Sequence, residues 1–171
     1  MMFLKAFALT GALLFAPVAL AAEGFFDDSF GNLKEDLTEA KTSGKKGIFV
    51  FFEMDECPFC HRMKTTVFNQ PKVQEYFNAN FVRVPIDIEG DVEMVDFSGK
   101  TMTQKDFAFK QHRVRATPVM AIFDLDGKLA VKFTGPTKSA EEFLAFGEFY
   151  VSGKYKEPGM SFARYKSDKG L

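Results

Sequence analysis

Tryptophan is absent from this sequence of 171 residues, and cysteine and histidine occur only twice each. Neither sign of charge dominates, since 22 basic residues stand against 23 acidic ones. This near balance argues against the basic surface typical of nucleic-acid-binding and polybasic membrane-binding proteins. The apolar fraction of 46% and the charged fraction of 26% are close to globular averages, so the composition indicates an ordered protein. Its length allows one ordinary domain, and we find no internal repeat.

The first 22 residues have the composition of an export signal. Lys5 supplies positive charge, residues 6–16 are apolar, Pro17 ends the apolar run, and residues 19–21 offer a small-x-small cleavage pattern. The run is short for a membrane span, and no cysteine follows it that could carry a lipid. We therefore expect a cleaved signal peptide over residues 1–22, with an uncleaved anchor as the alternative.

The remaining chain alternates between helical and extended patterns. Apolar spacing and capping residues predict helices over residues 26–43, 58–66, from Pro71, from Thr103, and over 139–151. Apolar runs and turn signals predict strands over 48–52, 81–88, 115–124 and 128–134, with a small hairpin over 92–102. Pro85 predicts that one edge of the second strand is unpaired. Helix-linked strands followed by a hairpin predict an α/β fold with a mixed central sheet and helices on both faces.

The two cysteines, Cys57 and Cys60, stand three residues apart, where the first strand passes into a helix. Pro58 suits the first helical position, which makes Cys57 the N-cap residue. A sulfur at a helix start faces unpaired N–H groups and the positive end of the helix dipole, so its thiolate is favoured. Cys60 lies one turn on, at an expected Cα–Cα distance of about 5 to 6 Å. We expect Cys57 to be the nucleophile and the more exposed sulfur, and Cys60 to resolve the mixed disulfide.

A structural role for this pair is less well supported. In an oxidising compartment the two thiols are expected as a disulfide unless something reduces them. The loop that such a disulfide closes holds so few residues that it restricts little chain entropy. We therefore expect the pair to take part in a redox reaction rather than to stabilise the fold.

This order of elements, with Cys-Pro-Phe-Cys after the first strand and Thr117-Pro118 before the last hairpin, resembles the thioredoxin fold over residues 26–152. More narrowly, the chain resembles the SoxW-type exported thioredoxins. That similarity lies in the approach to the cysteines over residues 51–60, in the Val-Pro-Ile-Asp run at 84–87, and in the Ser-Phe-x-x-Tyr pattern at 161–165.

The resemblance implies a thiol–disulfide oxidoreductase that needs no cofactor beyond its redox-active disulfide. Pro118 would be cis and lie against the cysteine pair, and Thr117 would present its backbone to the substrate. Pro58 and Phe59 would tune the reduction potential. The resemblance also implies protein disulfides as substrates, a membrane thiol–disulfide electron transporter as reductant, and a periplasmic, monomeric protein. A role in sulfur oxidation or cytochrome c maturation would follow from the SoxW-type similarity.

The sequence departs from the thioredoxin pattern beside the cysteines. Phe51 stands where many thioredoxins carry a buried carboxylate, and Glu56 replaces the usual tryptophan. Asp55 and Glu56 place negative charge near Cys57, which opposes the effect of the helix dipole. Glu53 is either an exposed carboxylate at the strand end or a proton shuttle for Cys60 with a pKa raised by burial.

Four alternatives stay open at this stage. Cys57-x-x-Cys60-His61 is also the c-type haem attachment signature. Both cysteines with His61 and His112 would supply four zinc ligands, although adjacent Cys60 and His61 suit one tetrahedron poorly. A disulfide oxidase or isomerase would share the same motifs, as would a non-catalytic binding module. In the oxidoreductase interpretation, His61 modulates the thiolate charge.

We expect residues 23–153 to form the thioredoxin-like domain and residues 154–171 a C-terminal tail. The tail is poor in apolar residues, and Phe162 and Tyr165 are the side chains that would dock it.

Overall fold

A four-stranded mixed sheet forms the centre of the computed structural model, which describes residues 24–171. Its strands are β1 (Gly47–Glu53), β2 (Phe81–Asp87), β5 (Val119–Phe123) and β6 (Leu129–Thr134), in the spatial order β2-β1-β5-β6. β1 runs parallel to β2, and the other neighbours are antiparallel. A separate hairpin joins β3 (Glu93–Val95) to β4 (Thr101–Thr103). The predicted mixed sheet and hairpin are confirmed, whereas the predicted signal peptide lies outside the described residues.

Six helices connect and flank the strands in the described part of the chain. They are α1 (Leu33–Thr42), α2 (Pro58–Arg62), α3 (Pro71–Asn80), α4 (Gln104–Asp106), α5 (Ala140–Val151) and α6 (Phe162–Asp168). α2 and α4 continue as π-helical turns over Met63–Val67 and Phe107–Gln111. The predicted caps at Thr103 and Ser139 are confirmed, because their hydroxyl groups accept hydrogen bonds from the first turns of α4 and α5. The cap predicted for the first helix at Asp27, Asp28 or Ser29 is wrong, because Asn32 caps α1. Within residues 24–171, no helix is both long and apolar enough to span a bilayer.

The alternation of side chains along β1 supplies both hydrophobic cores. Phe49 and Phe51 point into the core that contains the cysteines together with side chains of α3 and α5. Val50 and Phe52 point into the second core, which contains side chains of α1. Successive residues of a strand face opposite sides, so an apolar run such as Gly47–Phe52 fits a strand covered by helices on both faces.

The first helix begins later than the pattern over residues 26–43 predicts. Gly31 adopts a left-handed conformation with φ of 74°, which a right-handed helix cannot contain, and Asn32 caps α1 instead. Phe30, expected on the buried face, is 96% exposed. Phe25 is buried and stacks on Phe68, with 4.3 Å between ring centroids. The prediction of the helix start is therefore wrong, because the preceding segment is irregular and packs against the sheet through Phe25.

That segment also protects the outer edge of β2. The N–H of Asp27 donates to the carbonyl oxygen of Arg83, and the Asp27 carboxylate accepts from the backbone N–H and the guanidinium of Arg83. Pro85, which has no N–H to donate, lies two residues further along the same strand. The prediction that β2 has an unpaired edge at Pro85 agrees with its place at the end of the sheet.

The C-terminal tail packs on the domain through α6. Phe162 is buried, and its ring lies within 6 Å of the rings of Phe133, Phe146 and Phe149. Tyr165 contacts the Phe149 ring, with 5.2 Å between centroids. The predicted docking of Phe162 and Tyr165 is confirmed, and the tail contributes side chains to the core of the thioredoxin-like domain.

Candidate active site

Cys57 is the N-cap residue of α2, as the sequence predicts. Its backbone is extended, with φ of −120° and ψ of 94°, and Pro58 occupies the first helical turn. The Cys57 Sγ atom accepts a hydrogen bond from the N–H of Cys60 at 3.1 Å. This is one of the N–H groups that a helix start leaves without a backbone partner. A thiolate formed at Cys57 would therefore be stabilised by a donor that the helix already provides.

Cys57 and Cys60 form a disulfide in the structure, with a Cα–Cα distance of 5.2 Å that lies in the expected range. Cys57 is 6% exposed and Cys60 2% exposed, so the predicted order of exposure holds although both residues are largely buried. Both cysteines line a cavity that opens at the surface.

The Thr117–Pro118 peptide bond is cis, as the resemblance to thioredoxins implies. Pro118 immediately precedes β5, in which Val119 pairs with Phe52. Extended by one residue, this register places Pro118 opposite Glu53, at the end of β1 from which the cysteine loop departs. The Pro118 carbonyl accepts from the N–H of Gly135, which joins the strand start to the loop after β6. Pro118 and the cysteine motif therefore share one end of the sheet.

Thr117 retains unused hydrogen-bonding capacity beside this bond. Among the described residues its Oγ1 atom is buried and has no hydrogen-bond partner. Buried hydroxyl groups are normally bonded, so this atom stands out in the fold. The predicted role of Thr117, contact with the substrate backbone, is not tested by this geometry and stays a prediction.

A cavity of about 160 Å³ reaches the cysteine pair from the surface. Besides the cysteines, its lining consists of the acidic residues Glu53, Asp55 and Asp87, the basic residues His61 and Lys64, and Met54. Ionisable side chains thus outnumber apolar ones around the disulfide. The disulfide is therefore bordered by groups that can exchange protons with solvent.

Glu53 enters this cavity because of its place on β1. It is the next residue after Phe49 and Phe51 on the strand face that carries the cysteines, and Phe51 itself is fully buried among aromatic rings. The side chain of Glu53 is 17% exposed, and its Oε2 atom lies 2.5 Å from Nζ of Lys64. Glu53 is therefore a partly buried carboxylate within an ion pair, rather than the freely exposed strand-end residue that the sequence allowed.

Sequence analysis missed Lys64, Asp87 and Met54 as residues of this site. Lys64 lies seven residues after Cys57 and four after Cys60, so helical spacing alone would have placed it near the cysteines. Asp87 pairs in register with Glu53, because β1 and β2 are parallel and end together. Recognising that parallel pairing from the sequence would have brought the two carboxylates together.

His61 and Phe59 occupy the exposed side of the cysteine helix. His61 lines the cavity, and its predicted influence on the thiolate stays a prediction. Phe59 is 56% exposed immediately beside the disulfide, so the predicted tuning dipeptide also forms part of the surface that a partner would meet. In the haem alternative both sulfurs would form thioethers to the ring, whereas here they are bonded to each other.

His112, the fourth residue of the zinc alternative, lies in an aromatic environment. Its ring contacts those of Phe107 and Phe123, with centroid distances of 4.5 and 5.0 Å, and both phenylalanines belong to the second core. Burial, with a smaller contribution from the nearby Lys132, lowers the pKa of His112 to about 4. In residues 24–171 no group of three or more side chains is arranged to hold a metal ion. The four proposed zinc ligands do not converge.

Fold and site together define a thioredoxin-fold protein with a Cys-x-x-Cys pair at a helix start, an arrangement consistent with a thiol–disulfide oxidoreductase. The family model described as thioredoxin-like domain matches residues 33–150. The chain belongs to this thioredoxin-like family. Comparison with curated protein sequences gave no significant match.

Solved structures share the fold at low sequence identity. A thioredoxin-fold protein from Helicobacter pylori is 22% identical, with a TM-score of 0.62 over 72% of this chain and 82% of that one. DsbH oxidoreductase is 17% identical, with a TM-score of 0.59 over 84% and 95%. The C-terminal domain of DsbD from Neisseria meningitidis, in its reduced form, is 21% identical, with a TM-score of 0.52 over 68% and 91%. At these identities the likeness establishes the fold.

Proposed function

We propose that the protein is an exported thiol–disulfide oxidoreductase that reduces disulfides of other proteins in the periplasm. The observation that carries this proposal is the Cys57–Cys60 pair at the start of α2, at the same end of the sheet as the cis Thr117–Pro118 bond. The disulfide closes a loop too small to restrict much chain entropy. This small loop favours a redox role over a stabilising one. The shared fold with DsbH, an oxidoreductase, agrees with this choice.

The reaction begins with the reduced pair. The Cys57 thiolate attacks one sulfur of a partner disulfide, a mixed disulfide forms, and the partner's other sulfur leaves as a thiolate that takes up a proton. Cys60 then loses its proton and attacks Sγ of Cys57, which releases the partner's second thiolate for protonation. The partner gains two electrons and two protons, and Cys57 and Cys60 end as the disulfide seen in the structure.

Each turnover therefore requires a dithiol donor that reduces Cys57–Cys60 again. We assign this task to a membrane thiol–disulfide electron transporter, as the resemblance to exported thioredoxins implies. The SoxW-type resemblance favours a place in sulfur oxidation or cytochrome c maturation. The signal-like residues 1–22 support export, and we expect the mature protein to act as a monomer.

Partner trapping tests the proposal directly. The variant Cys60→Ser removes the resolving sulfur, so the mixed disulfide between Cys57 and its partner should accumulate in the native host. The double variant Cys57→Ser with Cys60→Ser is the matched control and should trap nothing. Adducts that disappear in the double variant and on reduction support the proposal. A Cys60→Ser protein that traps no more than the control would contradict it.

The reduction potential separates a reductase from an oxidase or isomerase. We expect a value nearer about −270 mV, typical of thioredoxin, than about −120 mV, typical of a strong oxidant. Equilibration with glutathione or dithiothreitol, followed by quantification of the free thiols, gives this value. A potential near the oxidising end would assign the same site to disulfide formation. An absorption spectrum of the purified protein should lack the Soret band that a c-type haem would produce.

A further inference from the structure

A short loop with two arginines leads into the cis peptide bond. Residues 112–118 join the helical turn after α4 to β5. The segment begins at His112, whose ring contacts Phe123, and ends at the cis Thr117–Pro118 bond at the cysteine end of the sheet. Arg113 and Arg115 are both exposed. In the described part of the chain seven lysine and arginine side chains form ion pairs, and neither of these two arginines is among them. We call residues 113–117 the arginine loop.

Arg113 adopts a backbone conformation that is unfavourable for an arginine. Its φ is 54°, in the left-handed region, and it is the only residue other than glycine with positive φ in the described chain. Its N–H donates to the carbonyl of Phe109, which ends the preceding helical turn. Glycine or asparagine is the usual residue at such a helix end. Strained residues of this kind cluster where a chain binds ligands or partners, so the arginine charge is the feature that needs an explanation.

Arg115 is held in place by an aromatic ring. Its guanidinium carbon lies 5.2 Å from the centroid of the Phe109 ring, and Phe109 is 51% exposed. This cation–π contact limits the motion of the side chain without neutralising its charge. Arginines and aromatic residues that remain exposed together are enriched in protein interfaces. Arg115 lies two residues before Thr117, so it adds an unpaired positive charge close to the end of the sheet that carries the disulfide, where Phe59 is also exposed.

The cysteine loop at this end of the sheet carries the opposite charge. Asp55 and Glu56 are exposed immediately before Cys57. A partner chain that reacts with Cys57 therefore meets negative charge on the cysteine loop and positive charge on the arginine loop. We propose that the arginine loop is a docking surface for acidic residues beside the reacting cysteine of the partner protein. This inference rests on the proposed function, because it specifies the partner of that same site.

The test uses two peptide substrates that differ only in charge. Each is a pair of short chains joined by one disulfide, with a fluorophore and a quencher on opposite chains. In one substrate two glutamates flank the cysteine, and in the other two glutamines replace them. The pre-reduced mature protein is mixed with each substrate, and the rate constant of the single turnover is followed by fluorescence. We expect the glutamate substrate to react about fivefold faster at low salt, with the advantage shrinking as salt rises.

Two variants assign that preference to the loop. Arg113→Gly suits the left-handed backbone, so it should leave the melting temperature unchanged or higher, and Arg115→Gln removes the second charge. Each should lower the glutamate preference about twofold and leave the glutamine substrate unaffected. Lys128→Gln is the matched control, because Lys128 is exposed in the turn between β5 and β6, at the opposite end of the sheet.

The outcomes separate this inference from the proposed function. Equal rates for both substrates in the unmodified protein, or a preference that persists in the double variant Arg113→Gly with Arg115→Gln, would overturn the docking surface alone. If the pre-reduced protein reacts with neither substrate faster than a Cys57→Ser variant does, the proposed reductase activity fails, and the docking surface fails with it.

Discussion

The carboxylate of Glu53 and the ammonium of Lys64 form an ion pair in the wall of the cavity that reaches the disulfide. One partner ends β1, the strand that leads into the cysteine loop, and the other lies on the π-helical turn that continues α2. The pair therefore ties the strand before the cysteines to the helix after them. Because Glu53 and Cys60 line the same cavity, we expect Glu53 to exchange a proton with Cys60.

Glu53→Gln tests this role in proton transfer. The amide keeps the size of the side chain but cannot accept the proton that Cys60 must lose. We expect the second step of disulfide reduction to slow by about tenfold or more, and its pH dependence to change. Stopped-flow measurement of the release of the reduced partner between pH 5 and 9 provides the check.

Asp55→Asn is the control for Glu53→Gln, since Asp55 lines the same cavity from the exposed loop. It changes the local charge equally, so a purely electrostatic effect would appear in both variants. An unaltered pH profile in Glu53→Gln would remove Glu53 from the mechanism.

Asp36 should make the fold less stable as the pH rises towards neutrality. Burial in α1 raises the pKa of this carboxyl to about 6, against the opposing hydrogen bond from Ser29. Because the folded-state pKa exceeds the unfolded one, the stabilising contribution is complete below pH 4 and is lost as the pH rises through 6. Asp36→Asn should therefore raise the unfolding free energy at pH 7 by about 1 to 2 kcal/mol. Urea unfolding at pH 7 and at pH 4 measures the difference, which should nearly vanish at the lower pH.

His112 should have the opposite effect on the pH dependence of stability, because it should make the fold less stable as the pH falls. Its pKa is lowered to about 4, chiefly by burial, so the folded protein favours the neutral ring. The stability it permits is present above the unfolded pKa of about 6.5 and is lost as the pH falls through 4. His112→Phe, which matches the surrounding rings, should flatten the loss of stability between pH 7 and pH 4 by about 2 kcal/mol. Thermal melts at several pH values between 4 and 7 provide the check. If another group causes the loss of stability, the melting temperature of His112→Phe will fall with pH as steeply as that of the unmodified protein.

Phe162→Ala should destabilise the whole domain although it lies in the C-terminal tail. The ring is buried against Phe133, Phe146 and Phe149, so its loss leaves a cavity in the core that also holds the cysteines. Large-to-small changes of this kind lower the unfolding free energy by about 3 to 5 kcal/mol. Denaturant unfolding gives the value, and Leu171→Ala, at an exposed position, is the control. A loss below about 1 kcal/mol would mean that the tail docks only loosely.

Much of the fold could be predicted because local chemistry and tertiary structure agree. The apolar run before Glu53 has to be covered on both faces, Pro58 fits only the first turn of a helix, and Asp126-Gly127 favours a tight hairpin. The cysteine pair followed from the same local signals. Its disulfide and the cis bond at Pro118 agree with what the motifs imply.

What could not be predicted depends on contacts between distant segments. The apolar spacing through Phe30 suited a helix. In the structure Gly31 has a left-handed backbone conformation, and Phe25 packs on Phe68 in the core. Two helices change to π-helical turns without any signal in the apolar spacing. The cavity lining needed the register of β1 and β2, which brings Asp87 beside Glu53.

The bonds between Asp27 and Arg83 limit how far the chain can be shortened from its N-terminal side. These bonds occupy backbone groups along the open side of β2 that would otherwise be available to another strand. A protease cut just beyond Asp27 would leave the thiol chemistry in place but expose that row of donors and acceptors. Such a truncated molecule would have a template for self-association, so we expect the residues just before α1 to help keep the protein from aggregating.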